Sequence, residues 1–250
     1  MAHGTRISGV NKAVTAGFTR INGVNKKVTK GLTLVGGVQK VINFGKQGTS
    51  IGEFAVKQSI YTPVDGVLKE FVIVHQGIPS SDYDDSCYGT WLMLADLYKK
   101  QKWGGSTYAT YPGSTVDTYL NKDFYGLFDA GIQSQIKTVK IPCYDSSGGL
   151  STKIFLPSKN EVNASSTSFR DEGSVLSYFS GANDNARKAY LNGTVTAWWL
   201  RTRHNVGSSV ARIGTDGKIS GYSPTSSYGI RPIFILPQDA LVDENFQIIE

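Results

Sequence analysis

Two short stretches decide the fold of this chain: Ala197-Trp198-Trp199-Leu200-Arg201-Thr202-Arg203 and Tyr228-Gly229-Ile230-Arg231-Pro232-Ile233-Phe234-Ile235-Leu236. Each is an apolar run with an arginine inside it, and the residues between them are rich in Gly, Ser, Thr and Tyr. Removing a tryptophan pair and several aliphatic side chains from water is worth several kcal/mol, so both stretches are predicted to be buried strands. They would hold a polar, loop-rich insert over residues 203–228.

The large side chains inside these strands are expected to be structural. Neighbouring strand residues point to opposite faces, so Trp198 and Trp199 cannot enter the same core layer. One of them is expected to pack inside while the other supports the insert. An arginine in an apolar strand is most often paired with a buried carboxylate or a main-chain carbonyl. We therefore expect Arg201 and Arg231 to hold the fold together and not to act in catalysis.

The insert is the predicted ligand-binding region. Thr215-Asp216-Gly217-Lys218 is a hairpin turn signal, which predicts that residues 209–213 pair with residues 219–222. The loops 203–208 and 223–227 would then lie on one side. Their Ser, Asn, Gly and Arg content, together with Tyr222 and Tyr228 on either side of the second loop, is typical of adaptable binding loops, although an ordinary polar surface loop would have the same composition. The predicted binding residues are Arg203, His204, Asn205, Ser208, Ser220, Tyr222, Thr225, Ser226, Ser227 and Tyr228.

Local patterns predict the remaining elements around this insert. Residues 69–75 are rich in β-branched side chains, which predicts a strand, whereas the apolar run 91–98 fits either a strand or a short helix. Asp117 is predicted to be the N-cap of a helix with a buried apolar stripe. Residues 139–143 and 153–157 are expected to pair as strands. Short helices mixed with antiparallel strands indicate the α+β class.

Four motifs in a fixed order carry a family resemblance. They are Ile154-Phe155-Leu156-Pro157-Ser158-Lys159-Asn160-Glu161-Val162, Trp198-Trp199-Leu200-Arg201-Thr202, Thr215-Asp216-Gly217 and Tyr228-Gly229-Ile230-Arg231-Pro232. Together they resemble the DUF6273 family over roughly residues 60–238. Domains of that family occur in bacterial and prophage proteins and are similar in fold to the C-type-lectin-like and sulfatase-modifying-factor group. The resemblance implies a C-type-lectin-like domain over residues 61–250, and since one fold serves many functions it says little about activity.

Cysteine and histidine usage argues against catalysis and metal binding. Cys87 and Cys143 are the only cysteines, and in a chain that shows no signal peptide they are expected to be free, buried thiols. In the enzymatic branch of the related fold, oxidation chemistry rests on reactive cysteines, and none follows residue 143. The three histidines are scattered without metal-ligand spacing. We therefore expect no enzyme, no metal site and no cofactor.

Two further patterns have weak functional meaning. Gly48-Thr49-Ser50-Ile51-Gly52 matches the G-x-S-x-G pattern of a nucleophile elbow, but its flanks predict neither the buried strand nor the helix that such a serine needs. Asp82, Asp84 and Asp85 could recruit Ca²⁺, but the stretch lacks the glycine and the distal glutamate of a calcium-binding hand. A solvated acidic turn is expected there, with Ca²⁺ binding as an open alternative.

The first part of the chain is a repeat with a period of 14 residues, in which residues 5–14 recur as 19–28 and, in degenerate form, as 33–41. A glycine at every seventh or eighth position would cost a helix about 1 kcal/mol each, so short strands joined by turns are predicted. Such units are too small to bury their own apolar face, which predicts a homotrimer or docking on a larger protein. The predicted attachment and oligomerisation residues are Ile7, Gly9, Val10, Ile21, Gly23, Val24, Val35, Gly37 and Val38.

Charge separates this repeat from the rest of the chain. Residues 1–46 hold eight basic residues and no acidic one, whereas the remainder holds 18 basic and 20 acidic residues. The predicted organisation is a basic β-repeat segment over 1–46, a Gly-rich linker over 47–60 and the α+β domain over 61–250. The basic residues are not interleaved with aromatic ones, so a solvated face or docking on an acidic protein is expected rather than nucleic-acid binding.

The repeats resemble N-terminal segments of tail and baseplate proteins from phages of Gram-positive bacteria, where such segments attach a fibre or adhesin to the particle. The resemblance implies a virion protein of a phage tail or tail-like particle that is assembled in the bacterial cytoplasm. Its expected partners are other tail or baseplate proteins and a host-surface receptor, for which a glycan is one candidate. No apolar run reaches the roughly 18 residues of a membrane span, so no membrane insertion is expected. A purely structural decoration or baseplate component is the alternative, and a glycan-active or oxidase enzyme is less favoured.

Overall fold

The computed structural model describes residues 17–21, 24–28, 30–35, 38–43, 48–105 and 110–249, the first four ranges by their backbone alone. Contacts between residues divide the chain into two units, Met1–Gly48 and Thr49–Glu250. The division falls close to the point in the sequence at which the run of basic residues without acidic ones ends.

Four strands occur among the described residues of the first unit: β1 (Gly17–Ile21), β2 (Val24–Val28), β3 (Lys30–Val35) and β4 (Val38–Asn43). β1 pairs antiparallel with β2, and β3 pairs antiparallel with β4. Ile21 is the register partner of Val24, and Val35 is the register partner of Val38. The other predicted attachment residues, which lie outside the described residues, are Ile7, Gly9, Val10, Gly23 and Gly37.

The described part of the second unit is mostly β-structure with a few short helices, which is consistent with the predicted α+β class. Its strands are β5 (Thr49–Ser50), β6 (Ser59–Val64), β7 (Val67–Gly77), β8 (Gly89–Leu94), β9 (Lys100–Lys102), β10 (Val139–Ile141), β11 (Leu150–Thr152), β12 (Ile154–Phe155), β13 (Tyr190–Leu191), β14 (Thr194–Val195), β15 (Trp198–Arg203), β16 (Val210–Ile213), β17 (Ile219–Tyr222), β18 (Ser227–Gly229), β19 (Ile233–Leu236) and β20 (Leu241–Val242). Its α-helices are α1 (Thr115–Tyr119) and α2 (Ala130–Gln135). Among the described residues, no helix has the length and apolar character needed to cross a membrane.

Residues 49–60, predicted to be linker, take part in the folded second unit. β5 pairs with β20, a 3-10 turn follows over Ile51–Glu53, and β6 begins at Ser59. Ile51 is fully buried, and its backbone N–H donates to the Ala240 carbonyl at 2.8 Å. Composition alone cannot show that one isoleucine in a Gly-rich stretch fills a core position, so the structured region begins earlier than the sequence predicted.

Two five-stranded sheets form the framework of the second unit. The first has the strand order β12-β19-β8-β7-β6 and the second has the order β17-β16-β15-β18-β9. Both faces of the first sheet are buried, since Leu92 and Phe234 enter one apolar cluster while Trp91 and Ile233 enter the other. A strand covered on both faces is apolar at every position, which explains why Ile233–Leu236 lacks polar alternation.

The second deciding stretch joins these two sheets and is not one continuous strand. Tyr228 and Gly229 end β18, which lies beside β15 in the second sheet, whereas Ile233–Leu236 forms β19 in the first sheet. Arg231 and Pro232 lie between the two strands. A proline has no N–H to continue a strand ladder, so a change of sheet at this point loses no backbone hydrogen bond there.

Trp198 and Trp199 point to opposite faces of β15, as expected, but both are fully buried. Trp198 belongs to one apolar cluster and Trp199 to the other. Their indole Nε1 atoms donate to the carbonyls of Arg187 and Gln101 at 3.0 Å and 2.9 Å. The expectation that only one of them enters the core was wrong, because β15 is covered on both sides.

The helical segment begins three residues earlier than predicted. Ser114, and not Asp117, is the N-cap of α1, because its Oγ accepts from the Asp117 N–H at 3.2 Å. The Asp117 carboxylate instead accepts from the Gly113 N–H at 2.8 Å. α1 continues as a π-helical turn over Leu120–Phe124 and a 3-10 turn over Tyr125–Leu127. The apolar side chains of this helical segment pack in the same cluster as Leu92 and Phe234 of the first sheet.

Two strand predictions were partly right. The run 91–98 proves to be a strand, β8, over its first residues. β10 pairs with β11, whereas β12 pairs with β19 instead of with residues 139–143. The Asn121 side-chain oxygen accepts from the N–H groups of Lys153 and Ile154, both at 3.1 Å. This contact with the helical segment redirects the chain between β11 and β12.

Candidate ligand-binding site

A buried ion pair anchors the base of the insert. Arg201 in β15 donates two hydrogen bonds to the Glu161 carboxylate at 2.6 Å and 2.7 Å, and both side chains are fully buried. Glu161 also forms a capping box with Ser158, in which each backbone N–H donates to the side chain of the other residue. Arg201 further donates to the carbonyls of Leu156 and Pro142. The predicted structural role of Arg201 is confirmed.

Two more buried groups extend this network. The Tyr83 hydroxyl donates to Glu161 at 2.8 Å, and Glu172 accepts from the Thr202 hydroxyl at 2.8 Å. Burial raises the pKa of Glu172, and the positive charge of Arg201 opposes that rise. Burial also raises the pKa of Tyr83 well above its usual value. Since these groups are buried, the network supports the insert and offers no surface to a ligand.

Arg231 is the second structural arginine. Its Nε donates to the Leu94 carbonyl at 2.9 Å, and its Nη2 donates to the Ala95 carbonyl at 2.7 Å. Burial lowers the pKa of Arg231. These bonds tie the segment between the two sheets to the end of β8, so the predicted pairing of Arg231 with main-chain carbonyls is confirmed.

The hairpin predicted inside the insert is present. β16 and β17 pair antiparallel, with Val210 opposite Tyr222 and Ile213 opposite Ile219. Gly217 at the turn has a φ of +83°, and a Cβ at this position would lie 1.7 Å from the Asp184 carbonyl oxygen. Only glycine accepts both the positive φ and the close approach of the Asp184 carbonyl. The glycine of the predicted hairpin turn is therefore required at this position.

One face of this hairpin carries a partly exposed cluster, which we call the Arg212 platform and define as Arg212, Ser220, Tyr222 and Tyr228. The guanidinium carbon of Arg212 lies 3.8 Å from the Tyr222 ring centroid and 4.3 Å from the Tyr228 ring centroid. Its Nε donates to the Ser220 hydroxyl at 3.3 Å. The two tyrosine rings meet edge to face with centroids 5.2 Å apart. The platform thus joins three predicted binding residues to an arginine.

A buried tryptophan supports the platform from inside. Trp199 and Arg212 are register partners, and so are Arg212 and Ser220, so the three side chains share one face of the sheet. The Trp199 ring packs edge to face on Tyr228, with centroids 4.9 Å apart. Tyr222, at the outer end of the cluster, keeps 43% of its surface exposed. The platform is therefore fixed at its base and open to solvent at its top.

Arg203 lies beside the platform. It is the register partner of Val210, which is in turn opposite Tyr222, so Arg203 is on the same sheet face. Its Nη1 forms an ion pair with Asp145 Oδ1 at 3.0 Å. The charge of Arg203 is thus already balanced, in contrast to that of Arg212.

His204 and Asn205 are held against the neighbouring segment 168–170. The His204 ring meets the Phe169 ring edge to face with centroids 5.1 Å apart. The Asn205 N–H donates to the Ser168 carbonyl at 2.9 Å, and Arg170 donates to the Asn205 carbonyl at 2.7 Å. These two predicted binding residues therefore position a loop, and the structure does not bring them into the Arg212 platform.

The remaining predicted binding residues are Ser208, Thr225, Ser226 and Ser227. Ser208 is half-buried in the loop between β15 and β16. Thr225 and Ser226 lie in the turn between β17 and β18, in which the Ser223 and Thr225 hydroxyls are 2.8 Å apart, and Ser227 is the first residue of β18. This turn connects the strand that carries Tyr222 to the strand that carries Tyr228. Its hydroxyl groups consequently border the platform.

Arg212 was missed at the sequence level. Its neighbours Ala211 and Ile213 are buried on the opposite face of β16, and strand alternation would have placed Arg212 on the open face. That signal was available in the predicted strand 209–213. What the sequence did not contain was the approach of Tyr228, which comes from a different part of the sheet.

A polar groove of about 580 Å³ lies along residues 159–175 and was also not predicted. Hydroxyl and amide side chains line it, and none of the described residues that line it is aromatic. Lys159 Nζ donates to the Ser166 carbonyl at 2.9 Å and to Asp171 Oδ1 at 2.6 Å. With its ammonium group already satisfied and no aromatic surface, this groove is a weaker candidate than the platform.

Cys87 and Cys143 are free and buried, as the sequence predicted. Burial raises the pKa of Cys87 to about 11 and that of Cys143 to about 12. Both thiols are therefore protonated at neutral pH, and a protonated thiol is a poor nucleophile.

Asp82, Asp84 and Asp85, the candidate Ca²⁺ residues, are all exposed. Asp84 caps a 3-10 turn by accepting from the Ser86 N–H at 2.9 Å, and hydrogen bonding by the Ser86 side chain, followed by that of its N–H, lowers the pKa of Asp84. In the part of the chain that the structure describes, no group of three or more His, Cys, Asp or Glu side chains is arranged to hold a metal ion.

Comparison with known families identifies the class of this chain. The model of a domain of unknown function, DUF6273, matches residues 88–238, which is more than half of the chain. The chain therefore belongs to the DUF6273 family, and the resemblance seen in the four ordered motifs is confirmed. The matched region contains the whole Arg212 platform and both structural arginines. No curated protein and no solved structure matches the chain.

Proposed function

We propose that this protein is an adhesin-type structural component of a phage tail or tail-like particle, and that its second unit binds a ligand on the host surface. The Arg212 platform is the observation that carries the binding half of the proposal. Tyrosine and arginine are the residues that most often provide binding energy at protein surfaces, because they offer a large contact area and directed hydrogen bonds at low entropic cost. Here they are clustered and supported by the buried Trp199, with Arg212 and Tyr228 half-buried and Tyr222 exposed.

The second unit, in this proposal, has a C-type-lectin-like fold. Two five-stranded sheets, short helices and a long polar insert support that assignment. The insert rests on a scaffold of buried arginine pairs, so its exposed residues can change without loss of the core. A host receptor that carries glycan is the expected partner, and the binding requires no catalysis and no cofactor.

The first unit is proposed to attach the protein to the particle. Its described residues form two-stranded pairs, and a two-stranded pair is marginally stable in water without further packing. Trimerisation, or docking on another tail or baseplate protein, would supply that packing. We expect the full-length protein to be a homotrimer by light scattering, and a monomer at micromolar concentration would contradict this part of the proposal.

The binding half is tested by replacing Tyr222 with alanine. We expect binding of the full-length protein to host cells to weaken by about tenfold or more, because loss of an anchoring aromatic side chain typically costs about 2 kcal/mol or more. Flow cytometry with fluorescently labelled protein measures the change. Tyr190→Ala is the matched control, since Tyr190 is 44% exposed and Tyr222 is 43% exposed.

Two outcomes would contradict the binding proposal. If Tyr222→Ala binds host cells as well as the unaltered protein does, the platform is not the receptor site. If Tyr190→Ala weakens binding equally, the effect does not depend on the platform. Either result would favour the purely structural alternative, in which the second unit packs on neighbouring virion subunits.

A further inference from the structure

We propose that the Arg212 platform selects saccharides that carry an anionic group, either a phosphate or a carboxylate. This inference rests on the proposed binding function and adds the chemical class of the ligand. The observations that support it are the charge of Arg212, the contacts that hold its guanidinium group and the surface that surrounds it.

Among the residues that the structure describes, Arg212 is a positive charge without a carboxylate partner. The ion pairs of the described residues engage Lys159, Arg187, Arg201 and Arg203, and none of them includes Arg212. On the same sheet face, the charge of Arg203 is balanced by Asp145. Residues 47–250 include 18 basic and 20 acidic residues. The net charge of this part of the chain therefore does not attract anions. A local positive charge therefore remains on the platform.

The guanidinium group is also held in place before any ligand arrives. Its central carbon lies 3.8 Å and 4.3 Å from the centroids of the Tyr222 and Tyr228 rings, and its Nε donates a hydrogen bond to the Ser220 hydroxyl. An arginine held in this way is restricted in its rotamers, while its terminal nitrogens still carry donors in a planar fork. That fork matches the two oxygens of a carboxylate or a phosphate.

Tyr228 does not neutralise this charge. Burial raises the pKa of Tyr228, and the nearby Arg212 only partly opposes the rise. The Tyr228 hydroxyl is thus protonated at neutral pH, and it is a hydrogen-bonding group without charge. The positive charge of Arg212 is consequently available to a ligand.

A saccharide is the ligand backbone that fits the rest of the surface. A sugar ring has an apolar C–H face and an edge of hydroxyl groups. The exposed part of Tyr222 offers aromatic surface to the C–H face of the sugar. The hydroxyl edge of the sugar would meet the exposed side chains of Thr225 and Ser227 beside the platform. The anionic substituent would then lie over Arg212.

The test is a glycan array probed with the labelled full-length protein. The array carries matched trios, each with a neutral glycan, its phosphorylated form and its uronic-acid form. We expect binding to one or both anionic members of a trio and at most weak binding to the neutral member. Arg212→Gln should reduce the affinity for the anionic member by about tenfold or more, since a charge-assisted hydrogen bond contributes that much.

Lys153→Gln is the matched control. Lys153 also lies over a tyrosine, with its Nζ 4.3 Å from the Tyr125 ring centroid, and its replacement removes the same charge from a surface outside the insert. We expect this variant to bind as the unaltered protein does. Competition with inorganic phosphate, which should displace the ligand from the unaltered protein, distinguishes direct anion binding from a change in shape.

The outcomes separate this inference from the function on which it rests. Preference for neutral glycans, or anionic binding that Arg212→Gln leaves unchanged, would overturn the inference while the Tyr222→Ala result could still support the platform as receptor site. No binding to any glycan would also overturn it. Equal losses in the Arg212 and Lys153 variants would show that overall charge, and not the platform, attracts the anion.

Discussion

Replacing Glu161 with alanine is expected to lower the free energy of unfolding by about 3–5 kcal/mol. Glu161 and Arg201 are both fully buried, and the carboxylate receives two hydrogen bonds from the guanidinium group. Removing the Glu161 carboxylate would leave the Arg201 guanidinium group buried without its hydrogen-bonded partner. The other carboxylate near it belongs to Glu172, which lies 3.9 Å from Arg201 Nε. The Tyr83 hydroxyl and the Ser158 N–H would lose their acceptor as well.

Urea denaturation followed by circular dichroism measures this loss. Glu70→Ala is the control, because the Glu70 carboxylate is exposed and accepts one hydrogen bond from the Ser59 hydroxyl. That control is expected to cost no more than about 1 kcal/mol. A loss of similar size in both variants would mean that the buried pair does not anchor the insert.

Replacing either Trp198 or Trp199 with alanine is the second large effect that we expect, at about 3–5 kcal/mol for each variant. Each indole is fully buried and fills a different apolar cluster, so each substitution opens a cavity on its own side of β15. Each also removes the hydrogen bond from its Nε1 to a main-chain carbonyl. Similar losses are therefore expected, although the side chains point in opposite directions.

The same denaturation measurement compares the two variants. Val206→Ala is the control, since Val206 is 75% exposed and its truncation should change stability by less than about 0.5 kcal/mol. If one tryptophan variant lost little stability while the other lost much, only one face of β15 would be tightly packed. That result would restore the simpler view that one tryptophan only supports a loop.

Local signals explain the predictions that succeeded. The hairpin turn at Asp216 and Gly217 depends on the backbone preferences of a few adjacent residues, and the strands at residues 198–203 and 233–236 depend on short apolar runs. The structural role of Arg201 followed from its apolar neighbours alone. Each of these inferences needed information from a short window of sequence, which a single chain contains in full.

Long-range contacts explain the predictions that failed or were not made. The partner of Arg201 is Glu161, 40 residues earlier in the chain, and no local pattern links the two. The N-cap prediction failed for a local reason instead: Ser and Asp are both good N-cap residues, and it is the Ser114 Oγ that accepts from the Asp117 N–H. Arg212 entered the candidate site only because Tyr228, in β18, lies over the same sheet face as the hairpin.

The sequence by itself determined the strands at residues 198–203 and 233–236, the hairpin, the buried thiols and the membership of the DUF6273 family, because these depend on residue types in a fixed order. Only the tertiary structure decided that both tryptophans are buried, that the second deciding stretch crosses between two sheets, and which polar residues form the Arg212 platform. The physical reason is that burial and side-chain pairing depend on what covers each face of a strand. That cover comes from segments that are distant in the chain.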